Sequence, residues 1–235
     1  MRGIAINVGA NTNEPGFRGP LFPDGTFEYI PIPESKPTSA PVPTYGDLDL
    51  ATDVSAVADR PVHFDPEFPE AGGERYTYGD DHGVKAGPLS ALSAGDYLFF
   101  YATLTTAGDA PAWAPPEWGA YVVGHFRLAR DPVTGEEYRS LPDAERARFA
   151  SNAHVKRDPF DARVLVLGSD EDSRLYDTVV PLSEPSGGTD ANALVTDLSS
   201  DSGKGPWWRR PMGFDETGTR RLLDLADAEP DAVEA

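Results

Sequence analysis

The pattern of apolar and polar positions predicts the strongest elements in the middle of the chain. Residues 97–104 form a nearly continuous apolar and aromatic run directly after the turn-forming pair Gly95 and Asp96. This composition favours a strand buried on both faces. A second run, residues 118–128, is bounded by glycines and rich in Val, Tyr and Phe, so it also predicts a strand. We expect a central strand pair joined by a loop, residues 105–117, that is long enough to have a function.

Shorter patterns predict an N-terminal strand and a hairpin. Residues 3–8 alternate between apolar and polar types, which favours a strand. Asp24 and Gly25 form a tight-turn pair that is followed by alternating apolar residues. Because Pro31 and Pro33 cannot donate hydrogen bonds within a central strand, this segment is expected at a sheet edge.

The C-terminal half adds a second strand pair and two helices. Residues 163–167 and 174–182 are predicted to pair around an acidic turn. Helix-forming composition marks residues 141–150 and 215–227.

These elements predict the fold class α+β: a single domain with a mainly antiparallel, barrel-like sheet and a few short helices. The predicted division is a domain at residues 1–214 followed by a C-terminal helix and tail at residues 215–235. The eight terminal residues, 228–235, are expected to fray.

The charge changes the picture of the surface. The chain has 39 Asp and Glu against 20 Lys and Arg, a net charge of −19, and its lysines are only Lys36, Lys85, Lys156 and Lys204. An acidic surface poor in lysine is typical of proteins that work in multimolar salt, where self-repulsion is screened. We therefore predict a halophilic source. In such salt, a negative net charge is a weaker argument against nucleic acid than usual.

Other features exclude several classes of protein. The chain has no cysteine, which excludes disulfides and thiolate zinc sites. No stretch has the apolar length of a membrane span, and the N-terminus lacks a signal-peptide pattern, so a cytoplasmic location is expected. The sequence also lacks a Walker loop, a dinucleotide glycine fingerprint and a nucleophilic serine elbow.

One short segment carries the best candidate chemistry. His63 and Asp65 share one side of an extended chain. A histidine with a nearby carboxylate can act as an acid–base pair or bind a metal. The alternative is a turn with a structural histidine. Asp80, Asp81 and His82 would complete a site for a hard metal if their loop meets this one, but the sequence alone assigns no metal ligands and no cofactor.

Three further residues are weaker candidates. His154 follows the predicted helix at residues 141–150, where it is either a third ligand or a cap favoured by the helix dipole. Arg18, with the turn at Asp24, either contacts a phosphate or closes a loop.

Aromatic and basic residues cluster at Trp207, Trp208, Arg209 and Arg210. This combination suits stacking on a base with arginine on phosphate. The alternative is that one tryptophan anchors the chain end against the core.

Taken together, these segments resemble the nucleotide-modification-associated domain family, third type, over residues 1–211. The resemblance lies in the order of the motifs, which are Pro23-Asp24-Gly25, Pro31-Ile32-Pro33, His63-Phe64-Asp65-Pro66, Gly95-Asp96, the glycines Gly119 and Gly124, His154-Val155 and Trp208-Arg209-Arg210-Pro211. A fainter likeness links residues 95–126 to small barrels of PUA and EVE type, which bind modified bases.

The resemblance implies a protein that modifies a nucleotide or an exposed nucleic-acid base. The alternative is a PUA- or EVE-like module that binds a modified base without catalysis, so it stays open whether the protein is an enzyme. We expect His63 and Asp65, with His154 and Asp24 as weaker partners, to line one cleft, in which His63, Asp65 and His154 are the catalytic residues. The nucleotide-binding candidates are Arg18, Asp24, Trp207, Trp208 and Arg209.

Overall fold

The computed structural model of the protein describes residues 1–228. Contacts divide the chain into two compact units, and each unit is built from separate segments. Unit 1 comprises Met1–Ile30, Tyr97–His125 and the chain from Leu175 onward. Unit 2 comprises Pro31–Asp96 and Phe126–Arg174. The prediction of a single domain stays a prediction.

The strands range from two to ten residues. They are β1 (Gly3–Asn7), β2 (Pro20–Leu21), β3 (Ile32–Pro33), β4 (Val62–His63), β5 (Thr77–Asp80), β6 (Tyr97–Thr106), β7 (Trp118–Arg127), β8 (Val133–Thr134), β9 (Val164–Leu167), β10 (Arg174–Pro181) and β11 (Met212–Phe214).

The helices are short as well. The α-helices are α1 (Gly83–Ser90), α2 (Gly135–Ser140), α3 (Asp143–Arg146), α4 (Ala153–Lys156), α5 (Ala193–Thr196) and α6 (Glu216–Ala226). Single 3-10 turns occur at Tyr45–Asp47, Ser55–Val57, Pro69–Ala71, Ala147–Phe149 and Trp207–Arg209. Among residues 1–228, no helix is both long enough and apolar enough to cross a membrane.

The sheet of unit 1 has the strand order β10-β7-β6-β1-β11, and β2 also pairs with β6. The predicted central pair, β6 and β7, is confirmed because these strands are neighbours in the sheet and are almost entirely buried. β1 is parallel to β6 and antiparallel to β11, so the sheet is mixed. The α+β class is confirmed, whereas no closed barrel is found among the strands of the described residues.

The terminal helix α6 belongs to the core of unit 1. Its Leu222 and Leu225 lie in the same buried cluster as Phe99 of β6 and Val122 of β7. Asp215 caps the helix, because its carboxylate accepts a hydrogen bond from the Gly218 amide at 2.9 Å. The helix predicted at residues 215–227 is therefore confirmed. The domain boundary at residue 214 stays a prediction, and the predicted tail at residues 229–235 lies outside the described part of the chain.

Unit 2 contains two small antiparallel sheets. One has the strand order β5-β9-β8, and the other pairs β3 with β4 through Ile32 and His63. The predicted pairing of residues 163–167 with residues 174–182 is wrong, because β9 pairs with β5 and β8 whereas β10 pairs with β7. Both segments are strands, but alternation along a strand does not specify its partner.

The helical predictions in unit 2 are correct in part. The helix expected at residues 141–150 appears as α3, which is followed directly by the 3-10 turn Ala147–Phe149. Helix α1 was not predicted, because Pro88 and two glycines give its sequence the composition of a loop.

Candidate active site

Three predicted site residues lie close together inside unit 2. His63 ends β4, Asp65 follows it, and His154 lies on α4. Their exposed fractions are 3%, 9% and 4%, respectively. The centres of the two imidazole rings are 4.9 Å apart, and their planes are nearly perpendicular. The Asp65 Oδ2 atom lies 4.0 Å from His63 Nε2 and 3.5 Å from His154 Nε2. The structure therefore groups these residues, and their catalytic role stays a prediction.

A separate carboxylate holds the far side of each imidazole. His63 Nδ1 lies 2.6 Å from Glu34 Oε2, and His154 Nδ1 lies 2.8 Å from Asp161 Oδ1. An ionised carboxylate can only accept a hydrogen bond, so each Nδ1 carries a proton. In the neutral ring, the lone pair is then on Nε2, which faces Asp65.

Glu34 is ionised although it is buried. Burial disfavours the charged form of its carboxyl group, but hydrogen bonds from His63 and Arg157 outweigh this effect and lower its pKa to about 2. Hydrogen bonds also outweigh burial at His154, but because this residue is a base, its pKa moves upward. Burial disfavours its charged form, but hydrogen bonds with Asp65 and Asp161 raise its pKa.

Hydrogen bonds from two neighbouring residues fix the orientation of the Asp65 carboxylate. Its Oδ1 atom accepts hydrogen bonds from the Gly79 amide at 2.6 Å and from Asn152 Nδ2 at 3.4 Å. Oδ2 is then the atom that faces the two imidazoles. A Cβ atom on Gly79 would lie 2.7 Å from His154 Cδ2. Glycine is therefore required for this close approach of strand β5.

Two cations connect the outer carboxylates. Arg157 Nε lies 3.1 Å from both oxygens of Glu34, and its Nη1 donates to Asp161 Oδ2 at 2.9 Å. Lys36 Nζ lies 2.8 Å from Asp81 Oδ2 and 2.7 Å from Asp161 Oδ2. Burial opposes ionisation of Asp81 and Asp161, but the hydrogen bond from Lys36 to each lowers both pKa values.

Glu34, Arg157 and Asp161 also belong to this site, and no local sequence pattern indicated them. Glu34 directly follows β3, whose pairing with β4 places it beside His63. The pairing of these two strands is the signal that would have indicated it.

The structure bears on two alternatives that the sequence left open. The alternative of His154 as a C-terminal cap of the helix predicted at residues 141–150 does not fit the structure, because that helical stretch ends at Phe149, whereas His154 lies in α4 with its ring against carboxylates. Asp81 lies with His154 and Asp161 in a group whose ligand atoms are within 4.8 Å of one another. His82 is 78% exposed and contacts Asp81 at the surface.

Several predicted nucleotide-binding residues lie in unit 1. A polar pocket of about 260 Å³ in this unit is lined by Asn7, Asn11, Thr12, Asn13, Arg18, Thr103, Trp208 and Arg209. The Arg18 guanidinium lies 4.5 Å from the centre of the Trp118 ring, and its Nε donates to Thr103 Oγ1 at 3.3 Å. Burial and the positive charge of Arg209 lower the pKa of Arg18. Within residues 1–228, neither arginine forms an ion pair with a carboxylate.

The other two nucleotide-binding candidates, Trp207 and Asp24, do not line this pocket and instead make contacts that support the fold. Trp207 is fully buried, and its indole N–H donates to the Thr189 carbonyl at 2.8 Å. No face of this ring is exposed to a base, which corresponds to the anchoring alternative. Asp24 lies in an exposed turn, where its carboxylate accepts hydrogen bonds from the amide and hydroxyl of Thr26. This corresponds to the alternative of loop closure.

The chain is thus an α+β protein with a buried histidine–carboxylate cluster in one unit and a cationic pocket lined by tryptophan in the other. It belongs to the nucleotide modification associated domain 3 family, whose model matches residues 2–224. No curated protein and no solved structure matches it. The family resemblance inferred from the sequence is confirmed, and the family name indicates a role in nucleotide modification.

Proposed function

We propose that the protein is an enzyme that modifies a nucleotide or an exposed nucleic-acid base, with its chemistry at His63, Asp65 and His154. One observation carries the proposal: Nε2 of each histidine faces the same carboxylate oxygen inside the protein, within 4.0 Å. An imidazole held in one tautomer is suited either to proton transfer or to metal binding. The family name supplies the class of substrate.

Glu34, rather than Asp65, orients His63 in this proposal. The 4.0 Å between His63 Nε2 and Asp65 Oδ2 is too long for a hydrogen bond, whereas Glu34 lies 2.6 Å from Nδ1. Asp65 is then available to the reaction itself.

The energetic cost of the cluster supports a functional role. Buried carboxylates and imidazoles stabilise a fold less than apolar side chains of similar size do. Such groups with shifted pKa values concentrate at functional sites. At this cluster the pKa of Glu34 is lowered and that of His154 is raised.

The substrate we propose is small. With a net charge of −19, the protein lacks the basic surface that a long duplex requires. Within unit 1, Arg18 and Arg209 provide local positive charge that suits a phosphate group.

Mass spectrometry of nucleosides from host DNA and RNA tests this proposal. The comparison uses a strain carrying the gene, a deletion strain, and a strain carrying His63→Ala. The matched control is His82→Ala, because His82 is exposed and does not face Asp65. We expect a modified nucleoside that is present with the natural protein and His82→Ala and is lost in the other two strains.

Circular dichroism of purified His63→Ala shows whether it is folded. An unchanged set of nucleosides in the deletion strain would contradict the enzyme proposal.

The pocket of unit 1 supports a second candidate function, which is binding of a base without chemistry. Arg18 and Arg209 suit a phosphate, and Trp208 lies at the pocket wall beside Trp118, with ring centres 5.5 Å apart. Stacking on an aromatic ring contributes about 1–3 kcal/mol per base. If nucleosides do not change but the purified protein binds a modified nucleotide, and Trp208→Ala weakens this binding about tenfold or more, the binding function is supported.

A further inference from the structure

We propose that His63 Nε2, His154 Nε2 and Asp65 Oδ2 bind one divalent transition-metal ion of the first row. The inference rests on the proposed function, which assigns the chemistry to these three residues. Binding of the ion itself is measured without any reaction, so the two proposals can fail separately.

The distances suit a shared ion. The three ligand atoms all lie within 4.8 Å of one another, and Oδ2 is 4.0 Å and 3.5 Å from the two nitrogens. Ligands about 2.0–2.2 Å from a tetrahedral zinc ion lie about 3.3–3.6 Å apart. The 3.5 Å between His154 Nε2 and Asp65 Oδ2 already has this length, and a contraction of a few tenths of an ångström would bring His63 Nε2 to the same distance from Oδ2.

The protonation of the imidazoles favours metal binding. Glu34 and Asp161 accept hydrogen bonds from Nδ1 of His63 and His154, so in the neutral form of each ring the lone pair is on Nε2, which faces Asp65. Histidines that bind metals usually donate their other ring N–H to a carboxylate in this way.

Arg157 supports these two carboxylates. Its nitrogens also lie 3.3 Å and 3.2 Å from Nδ1 of His63 and His154. Arginine can only donate, and its closer contacts, at 2.9–3.1 Å, are to Glu34 and Asp161. It therefore positions the carboxylates that fix the imidazoles.

The charges of the cluster are compatible with a further cation. Its linked charged groups are the carboxylates Glu34, Asp65, Asp81 and Asp161 and the cations Arg157 and Lys36. Four negative and two positive charges leave −2 while both histidines are neutral. Asp80 and Lys85 also act on this group, and their charges cancel. A divalent cation would balance the remainder.

A second possible set of ligands is less suitable. Asp81, His154 and Asp161 also lie within 4.8 Å of one another. However, Lys36 Nζ lies 2.7–2.8 Å from the Oδ2 atoms of both aspartates. This ammonium group already pairs with both aspartates, so the set around Asp65 is favoured.

The donor atoms define the class of metal. Two imidazole nitrogens and one carboxylate suit zinc, iron(II) and cobalt(II), whereas magnesium and calcium prefer oxygen ligands. Three protein ligands leave coordination positions for water or substrate, so a bound ion would supply Lewis-acid chemistry.

Titration of the purified full chain with Co²⁺ and Zn²⁺ tests the inference. The protein is first treated with a chelator and dialysed, and binding is followed by calorimetry and by the visible absorption of Co²⁺. The informative variant is Asp65→Asn. Its remaining oxygen can still accept from the Gly79 amide, while its amide nitrogen replaces the oxygen that faces the histidines. His154→Gln removes a second ligand, and His82→Asn is the matched control at an exposed histidine.

We expect one Co²⁺ per chain, a loss of affinity of about 100-fold or more in Asp65→Asn and His154→Gln, and unchanged affinity in His82→Asn. Thermal unfolding without metal shows whether the variants are folded. The inference is overturned if the natural protein binds neither ion with a Kd below about 1 mM, or if His82→Asn abolishes binding. Metal binding without any modified nucleoside would instead count against the proposed function alone.

Discussion

Glu34 illustrates how burial and hydrogen bonding act against each other on a single side chain. The side chain is 3% exposed, which by itself disfavours the carboxylate. His63 and Arg157 nevertheless donate to it, and its pKa falls from an ordinary value of 4.5 to about 2. The folded protein thus binds this proton less readily than the unfolded chain does.

This difference predicts a pH-dependent contribution to stability. A lowered pKa in the folded state stabilises the protein above pH 4.5, and the contribution is lost as the pH falls toward 2. The shift corresponds to about 3 kcal/mol in the free energy of unfolding. We expect the stability difference between the natural protein and Glu34→Gln to shrink over this pH range. Urea unfolding at fixed salt, with a chelator present so that no metal contributes, measures it.

Glu171→Gln is the matched control because Glu171 is an exposed acidic residue of the same unit. Its stability difference from the natural protein is measured over the same pH range, so that the effect of removing one acidic side chain can be subtracted. A difference for Glu34→Gln that is constant between pH 2 and 5 would contradict the assigned pKa.

At the scale of single residues, the sequence predicted only part of the site. His63 and Asp65 were identified because their types and spacing are visible in one segment. The contact between Arg157 and Glu34 joins residues 123 positions apart, which no local pattern can indicate. Trp208 and Trp207 look equivalent in sequence, and only packing shows that Trp207 is fully buried.

At the scale of elements, helix α6 is expected to stabilise unit 1 through its apolar face. Leu222 is 1% exposed within the core cluster, whereas Leu223 is partly buried at its edge. Leu222→Ala should lower the free energy of unfolding by about 2–5 kcal/mol, because it leaves a cavity. Leu223→Ala is the control and should cost clearly less. Chemical denaturation measures both values, and equal small losses would show that α6 does not belong to the core.

Strands were predicted better than their partners. The buried runs that form β6 and β7 are long and rich in aromatic residues, so their type and pairing were both correct. β9 and β10 were identified as strands, but they were paired wrongly because neighbours in sequence need not be neighbours in a sheet. The parallel pairing of β1 with β6 spans about ninety residues of chain and had no local signal.

At the scale of the whole molecule, the net negative charge contrasts with the positive charge of one local pocket. The net charge is −19, but the pocket of unit 1 holds Arg18 and Arg209 without carboxylate partners among the described residues. At low salt, a cationic pocket on an acidic protein favours a compact anion over an extended one, because the net negative charge repels a long polyanion.

The same charge predicts that stability depends on salt. Unscreened repulsion among 39 acidic residues opposes the compact state, and only 20 lysines and arginines offset it. Raising KCl from about 0.1 M to about 2 M shortens the Debye length from about 10 Å to below about 3 Å. We therefore expect the midpoint of thermal unfolding to rise with KCl. Screening should produce most of this rise by about 1 M, whereas exclusion of salt from the protein surface would continue to raise it and act more strongly with sulfate. A midpoint that does not change with KCl would contradict the prediction of a halophilic protein.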